Sequence, residues 1–517
     1  MKKVWKGAAA VVAALSLGVT GFVGTSSAYA TVTDNGTVTF NNFVEGDEVT
    51  AYRILNIESE ANGQFVYSVN PDNKAALVAG LNAVKAKGAD DFTTETDNSD
   101  LVKAATKLTD DNIEDFAKAF KNAGPTAETT KATTNTLSVQ QGYYLFDMTK
   151  IGQNDKRTKS KYMVYTVGKD GASFNLKNGT VTLEKKVKDN AGDPGNTKDE
   201  QGKDLNADWN DSADYAVGDT VPFKLTGTLP DTYDAYKTYY YEFVDTMSTG
   251  LTFNKDISVT TNGKDITSCF DTTDGLTSIK AANLKACAVK GADLKAGSEI
   301  VVTYSATLNN QAVIGTADNS NTAHLVFSNN PYSQGDGDKG TTPDDTVKVF
   351  TYDFKGTKTF SITPNDKDLP KFTLTKDGDT TFKREMQVVK QDDGTYKFST
   401  ERIDAGTYTL TETHTPAGFN TAEPITFTIS AKHDVTSPDP AVKITVTSDD
   451  KVTDKDGQEQ DAAIATATGA ASTINNTGGS KLPETGGMGT VVLYTVGGLI
   501  VLIAGVGLAV ALRRRQA

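Results

Sequence analysis

Cysteine is nearly absent from this chain of 517 residues, with Cys269 and Cys287 the only two. Two thiols cannot by themselves build a structural zinc site, which takes four ligands. Histidine is as scarce: His324, His414 and His433 are scattered without ligand spacing. Glycine is abundant but falls in turns, and it forms no nucleotide-binding loop. No Ser-His-Asp arrangement stands out, and no basic, aromatic-rich patch. Positive charge is in deficit, with 52 Lys and Arg against 66 Asp and Glu, a net charge of -14. Such a surface repels nucleic acid and anionic lipid. A long Pro-rich or Ser-rich stalk is missing as well. These absences argue against a metalloenzyme, a nucleotide-binding enzyme or a nucleic-acid binder, and no cofactor or metal is expected.

What is present begins at the two ends. Lys2, Lys3 and Lys6 precede an apolar stretch from Ala8 to Val23, and Ala28-Tyr29-Ala30 supplies a small-x-small cleavage pattern. Residues 1–30 therefore read as a secretory signal peptide. At the other end Leu482-Pro483-Glu484-Thr485-Gly486 is followed by an uncharged apolar run over 491–512 and by Arg513-Arg514-Arg515. At about 1.5 Å per helical residue the run can cross a bilayer, with the arginines held on the cytoplasmic side. The module over 477–517 resembles a Gram-positive cell-wall sorting signal, in which a sortase cleaves between the residues here numbered Thr485 and Gly486. Loss of both ends removes six basic residues and no acidic one, moving the side-chain charge from -14 to -20.

The remaining length suggests three domains. Short alternating runs rich in Thr, Val and aromatics, separated by Gly, Asn and Asp, predict a mainly β chain. Residues 31–180 form the first domain, with strands expected at Gly36–Phe43, Glu48–Ile54, Gly142–Leu145 and Tyr162–Val167. Helical insertions interrupt it. Leu77, Leu81 and Val84 line one helical face, and a second helix is expected to open with Asp111 as N-cap and Glu114 three residues on. The middle domain spans 181–347, alternating well over Val221–Leu225, Tyr239–Phe243 and Ile300–Tyr304. The polar stretch Ala191 to Asp211 reads as a loop, and Asn330 to Gly337 as a turn-rich boundary. The third domain covers 348–476.

Here a resemblance becomes specific. Tyr352-x-Phe354 leads into Lys358, and Leu369-Pro370-Lys371-Phe372-Thr373-Leu374 is similar to an LxGAxFxL segment. Tyr408-Thr409-Leu410-Thr411-Glu412-Thr413, running on to Pro416-Ala417-Gly418-Phe419, resembles an E-box. Tyr241-x-Phe243-x-Asp245, Gly250-Leu251-Thr252-Phe253, Asn321-x-Ala323 and Phe327-Ser328-Asn329-Asn330-Pro331 resemble the central domain of the same family. The family is that of the major (backbone) subunits of Gram-positive sortase-assembled pili. The resemblance implies tandem immunoglobulin-like, Cna-type β-sandwiches, the middle one CnaA-like, the third CnaB-like, and the first carrying helical insertions.

It also implies autocatalytic isopeptide chemistry rather than turnover of a substrate. A buried, uncharged Lys amine attacks an Asn carboxamide and releases ammonia, so desolvation must lower the lysine pKa. A neighbouring carboxylic acid shuttles protons. The three side chains are expected to meet on adjacent core strands. For the third domain the resemblance selects Lys358 and Asn475 with Glu412 as the acid; Asn476 competes with Asn475. For the middle domain it selects Lys185 and Asn329 with Asp245 as the acid; Asn321 and Asn330 compete with Asn329. Period two places Leu183, Lys185 and Val187 on one face and turns Lys186 outward. The first domain shows no comparable terminal pair and is assigned no crosslink.

Polymerisation needs an exposed lysine. Backbone pilins carry it in a YPKN-like motif at the end of the first domain, where this chain reads Asn175-Leu176-Lys177-Asn178. Lys177 is the expected nucleophile toward another subunit's Thr485, with Lys169, Lys185 and Lys186 as alternatives. Export through oxidising surroundings permits a Cys269–Cys287 disulfide. The implied partners are a pilus-specific and a housekeeping sortase, identical subunits head-to-tail, tip and base pilins, peptidoglycan and, for a shaft at the cell surface, a host ligand. A monomeric wall-anchored adhesin is the alternative reading, and a wall hydrolase is disfavoured because the carboxylates are better explained in the Lys–Asn sites.

Overall fold

A computed structural model describes residue 32 and residues 34–479, apart from 62–63, 153–155, 191–208, 317–318, 333–337, 434–436, 438 and 454–457. The signal peptide, the Leu482–Gly486 motif with Thr485 and Gly486, and the apolar run 491–512 lie outside the described residues.

The first domain packs two sheets. Asn35–Asn41 lies between Thr136–Gln140 and Ala172–Asn175, and a four-stranded sheet runs Gln64–Val69, Glu48–Ala61, Gly142–Lys150, Met163–Val167. Alternation drives this arrangement: along Asn35–Asn41 only Val38, Phe40 and Gly36 turn inward, where Phe40 meets Phe146 and Phe174. Helices Lys74–Val84, Asn98–Ala105 and Ile113–Asn122 build a second core on one side, through Leu77, Leu81, Leu101, Phe116 and Phe120. The middle helix was not expected from sequence, although Asp97 caps it by accepting from Ser99 N at 2.8 Å. Asp111 is not the cap of the third helix; Asn112 occupies that position.

The middle domain is a sandwich of a six-stranded and a seven-stranded sheet. One sheet contains Leu183–Lys188, Thr220–Thr228 and Glu299–Leu308; the other contains Tyr241–Met247, Asn319–Ser328 and Asp345–Phe350. Two expectations need correction. Trp209–Asn210, read as loop, is a short strand beside Leu183–Lys188. Asn330 onward is not the boundary to the third domain, because Lys339–Thr341 folds back onto Val326–Ser328 and Asp345–Phe350 pairs with the Asn319 strand. The boundary falls after Phe350. Instead the Asn330–Tyr332 turn grips the first domain: Tyr332 stacks on Tyr162 with ring centroids 3.6 Å apart and its hydroxyl accepts from Tyr162 N at 2.6 Å.

The third domain packs two five-stranded sheets. Its first strand, Tyr352–Phe360, runs parallel to its last, Gly469–Asn476, with Lys358 opposite Ile474 and Thr359 opposite Asn475. Glu412 sits on Gly406–His414 in the facing sheet. Val217 N donates to Arg402 O at 2.9 Å and Arg402 Nε to Ala312 O at 2.9 Å, docking this domain on the middle one.

Candidate functional site

Among the described residues only two lysines are buried, Lys185 and Lys358. An ammonium is almost never buried unless paired, because removing it from water is costly. Each of these sits in a core beside an acid and an asparagine.

In the third domain Lys358 shares the inward face of its strand with Phe354 and Gly356. Its Nζ contacts Asn476 Oδ1 directly. Asn476 Nδ2 donates to Glu412 Oε1 at 2.8 Å, and Glu412 Oε2 accepts from Ala422 N at 2.6 Å. Burial pushes the Lys358 amine down to about 8, against the opposing pull of the Glu412 charge. The sequence preference for Asn475 is corrected. Inward residues of the last strand are Ser472, Ile474 and Asn476, so Asn475 turns to the other side and accepts from Thr359 Oγ1 at 3.2 Å. A one-residue shift on a strand exchanges faces.

In the middle domain Lys185 is fully enclosed. Its Nζ donates to Asp245 Oδ2 at 2.6 Å and to Tyr304 Oη at 2.9 Å. Burial lowers its pKa, and the Asp245 charge opposes that shift. The asparagine brought to this site is Asn321, whose Nδ2 donates to Tyr304 Oη at 2.8 Å. Asn329 is not there. The Asn319 strand runs antiparallel to Tyr241–Met247 with Asn321 opposite Met247 and Ala323 opposite Asp245, while Ser328 N already reaches Tyr240 O. Asn329 is thus six residues along the strand from the position facing Asp245, roughly 20 Å away at a strand's rise. The three strands are not all adjacent either: Asp245 and Asn321 come from neighbouring strands of one sheet, but Lys185, with Tyr304, comes from the other. The alternation Asn319, Asn321, Ala323, Leu325, Phe327 on the buried face was the signal for Asn321. Nothing in the sequence alone brought Tyr304 to Lys185.

The first domain holds no buried lysine among its described residues. Its buried charge is Asp47, clasped by both terminal nitrogens of Arg157 at 3.1 and 2.9 Å and by Val44 N and Gly152 N. A guanidinium stays charged and cannot serve as the nucleophile.

Lys177 lies on the surface just after Leu176, whose side chain is buried. Its segment is fixed by Lys177 N donating to Ser160 Oγ at 2.8 Å and Lys161 N to Lys177 O at 3.3 Å. Lys169 is exposed too, and Lys186 is engaged by Asp211 at 2.5 Å. Lys185 is enclosed and cannot meet another subunit. Cys269 and Cys287 form the expected disulfide, with Cα atoms 5.3 Å apart. Among the described residues no group of three or more His, Cys, Asp or Glu is arranged to hold a metal. His324 and His414 each pair with one aspartate, Asp344 and Asp368.

Two family models and several solved structures are similar to parts of this chain. A family described as "Gram-positive pilin backbone subunit 2, Cna-B-like domain" matches residues 217–331, which contain Asp245, Tyr304 and Asn321. That description differs from the CnaA-like reading of the sequence. A family described as "Prealbumin-like fold domain" matches 359–440, which contain Glu412. No curated protein sequence matches the chain. Among solved structures, the T6 backbone pilin of serotype M6 Streptococcus pyogenes is 17% identical, with a TM-score of 0.50 over 86% of this chain and 98% of that one. The full-length major pilin SpaD from Corynebacterium diphtheriae is 14% identical, with a TM-score of 0.43 over 86% and 98%. The chain carries the segment similar to the pilin backbone family within a fold shared with the T6 backbone pilin, itself described as a modular three-domain structure.

Proposed function

We propose that this chain is the structural shaft subunit of a covalently polymerised surface pilus, attached to the cell wall. The observation that carries the reading is the pair of enclosed lysines, each beside a carboxamide and a carboxylate in successive domains. A buried amine with lowered basicity, joined to an amide and an acid in one hydrogen-bonded cluster, has the composition that loss of ammonia requires. The crosslinks are Lys185–Asn321, with Asp245 as acid, and Lys358–Asn476, with Glu412 as acid. Lys177 is the intermolecular nucleophile: its amine resolves the thioester that a pilus sortase forms at Thr485 of the next subunit, after cleavage before Gly486. A housekeeping sortase then attaches the finished polymer to peptidoglycan, and tip and base pilins complete the fibre.

The test is the intact mass of the 31–485 chain under reducing conditions, followed by peptide mapping. A deficit of two ammonia molecules, mapped to the two named pairs, is expected. A 31–490 chain, which keeps the Thr485–Gly486 bond, incubated with the pilus sortase should then yield ladders joined through Lys177, and Lys177→Arg should abolish them. An unmodified mass would defeat the crosslinks. Ladders that persist in Lys177→Arg would move the nucleophile to another lysine, and a chain that never forms ladders would be a monomeric wall adhesin.

A further inference from the structure

The two clusters differ in how the acid reaches the leaving nitrogen. In the third domain Glu412 Oε1 contacts Asn476 Nδ2 itself, at 2.8 Å. In the middle domain the hydrogen bond of Asn321 Nδ2 goes to Tyr304 Oη. That hydroxyl donates to Asp245 Oδ2 at 2.5 Å and accepts from Lys185 Nζ at 2.9 Å. Tyr304 Oη is therefore the group that touches the nucleophile, the acid and the leaving nitrogen together. Its ring is held between Phe223 and Phe253, with centroids 5.4 and 5.9 Å away, so the hydroxyl has little freedom to turn out of the site. Asn321 Oδ1 and Asp245 Oδ1 are buried without a hydrogen-bond partner, so the contacts between the two residues run through the phenol.

We propose that the Tyr304 hydroxyl is a catalytic proton relay for the Lys185–Asn321 crosslink, carrying the proton from Asp245 to the departing ammonia. This rests on the crosslinking reading above. As the uncharged Lys185 Nζ bonds to Asn321 Cγ, one Nζ proton passes to Asp245 Oδ2. Oδ2 gives a proton to Tyr304 Oη while Oη releases its own to Asn321 Nδ2. The Cγ–Nδ2 bond breaks, ammonia leaves, and Asp245 and Tyr304 return to their starting protonation states. One C–N bond forms as one breaks, and no oxidant or co-reactant is needed.

The test follows ammonia loss in full 31–485 chains sampled at intervals after a brief synthesis pulse, with peptide mapping to read each domain separately. In Tyr304→Phe the middle-domain bond should form at least about a hundredfold more slowly, the scale of a lost proton-transfer group. The Lys358–Asn476 bond of the same molecules should keep its wild-type rate. A middle-domain rate within about threefold of wild type would overturn the relay. Should the phenylalanine variant fail to form the Cys269–Cys287 disulfide, a sign of misfolding, difluorotyrosine at position 304 replaces it. A relay then changes the middle-domain rate by at least about tenfold while the Lys358–Asn476 rate stays at its wild-type value, and an unchanged middle-domain rate would overturn it. If the wild-type chain never forms the Lys185–Asn321 bond, the parent reading fails and the relay falls with it.

Discussion

The middle and third domains put the same three kinds of side chain to different mechanical ends. In the third domain Lys358 and Asn476 lie on neighbouring parallel strands of one sheet, so their bond would close a loop of 118 residues within a layer. In the middle domain Lys185 and Asn321 face each other across the sandwich, so their bond would staple the two layers. The difference decides which segments carry load in a fibre under tension. Force entering the third domain at Tyr352 would run to Lys358, cross to Asn476 and leave, bypassing nearly the whole fold. In the middle domain it would cross at Asn321 and still travel through the rest of that strand, the turn that holds Tyr332 against Tyr162, and Asp345–Phe350. With both bonds formed, the third domain would act as a rigid link and the middle one would keep a loaded tail.

Lys185→Ala should give the largest effect. It removes the staple, whose loop closure is worth roughly 4–5 kcal/mol if disulfide arithmetic transfers. It also leaves Asp245 and Tyr304 enclosed without the hydrogen-bonding nitrogen of Lys185, a further cost of about 1–3 kcal/mol. Calorimetry on the 31–485 chain should show the middle-domain transition falling further than the third-domain transition falls in Lys358→Ala. Equal losses would erase the distinction between the two sites.

A smaller and sharper contrast lies within one strand. Asn476→Ala should abolish the third-domain crosslink and cost about 4–5 kcal/mol. Asn475→Ala should leave the bond in place and cost no more than about 1 kcal/mol, the worth of its contact with Thr359. Peptide mapping with thermal melts reads both, and a bond that survives Asn476→Ala would return the assignment to Asn475.

The smallest effect is a matter of acidity. With the Lys358 amine at about 8, the ammonium form, which cannot attack, dominates at lower pH. Bond formation in newly made chains should slow by about tenfold for each pH unit below that value and level off above it. A flat profile between pH 6 and 9 would mean that the amine is not what limits the reaction.

Much of this site was legible from residue order. Lys185, Lys358, Asp245 and Glu412 all proved to be buried, because a polar residue interleaved with Tyr, Phe and Leu at period two must share their face. The asparagines were misplaced for different reasons, Asn475 by facing the other side of its strand and Asn329 by lying too far along its strand from Asp245. Position near a domain's end was weighed above alternation, and on a strand the neighbouring residue points the other way. Tyr304 lay outside reach because its meeting with Lys185 and Asn321 depends on how two sheets are stacked, and no local pattern encodes that. The helix Asn98–Ala105 escaped because it offers one buried turn, Leu101 and Ala105, too short for a periodicity to register. Asp47 and Arg157 were missed because both lie in irregular segments with no period to read.

The Cys269–Cys287 bridge lies wholly between Lys185 and Asn321 in the chain. Once the staple closes, that interval hangs beside the line of tension rather than along it. Pulling on the fibre would not stretch the sulfur–sulfur bond, so a reductant would meet the same disulfide in a taut pilus as in a slack one. The bridge would then serve to hold the 269–287 segment, with its buried Ile279–Ala281 strand, on the domain at rest, while the amide bonds bore the load.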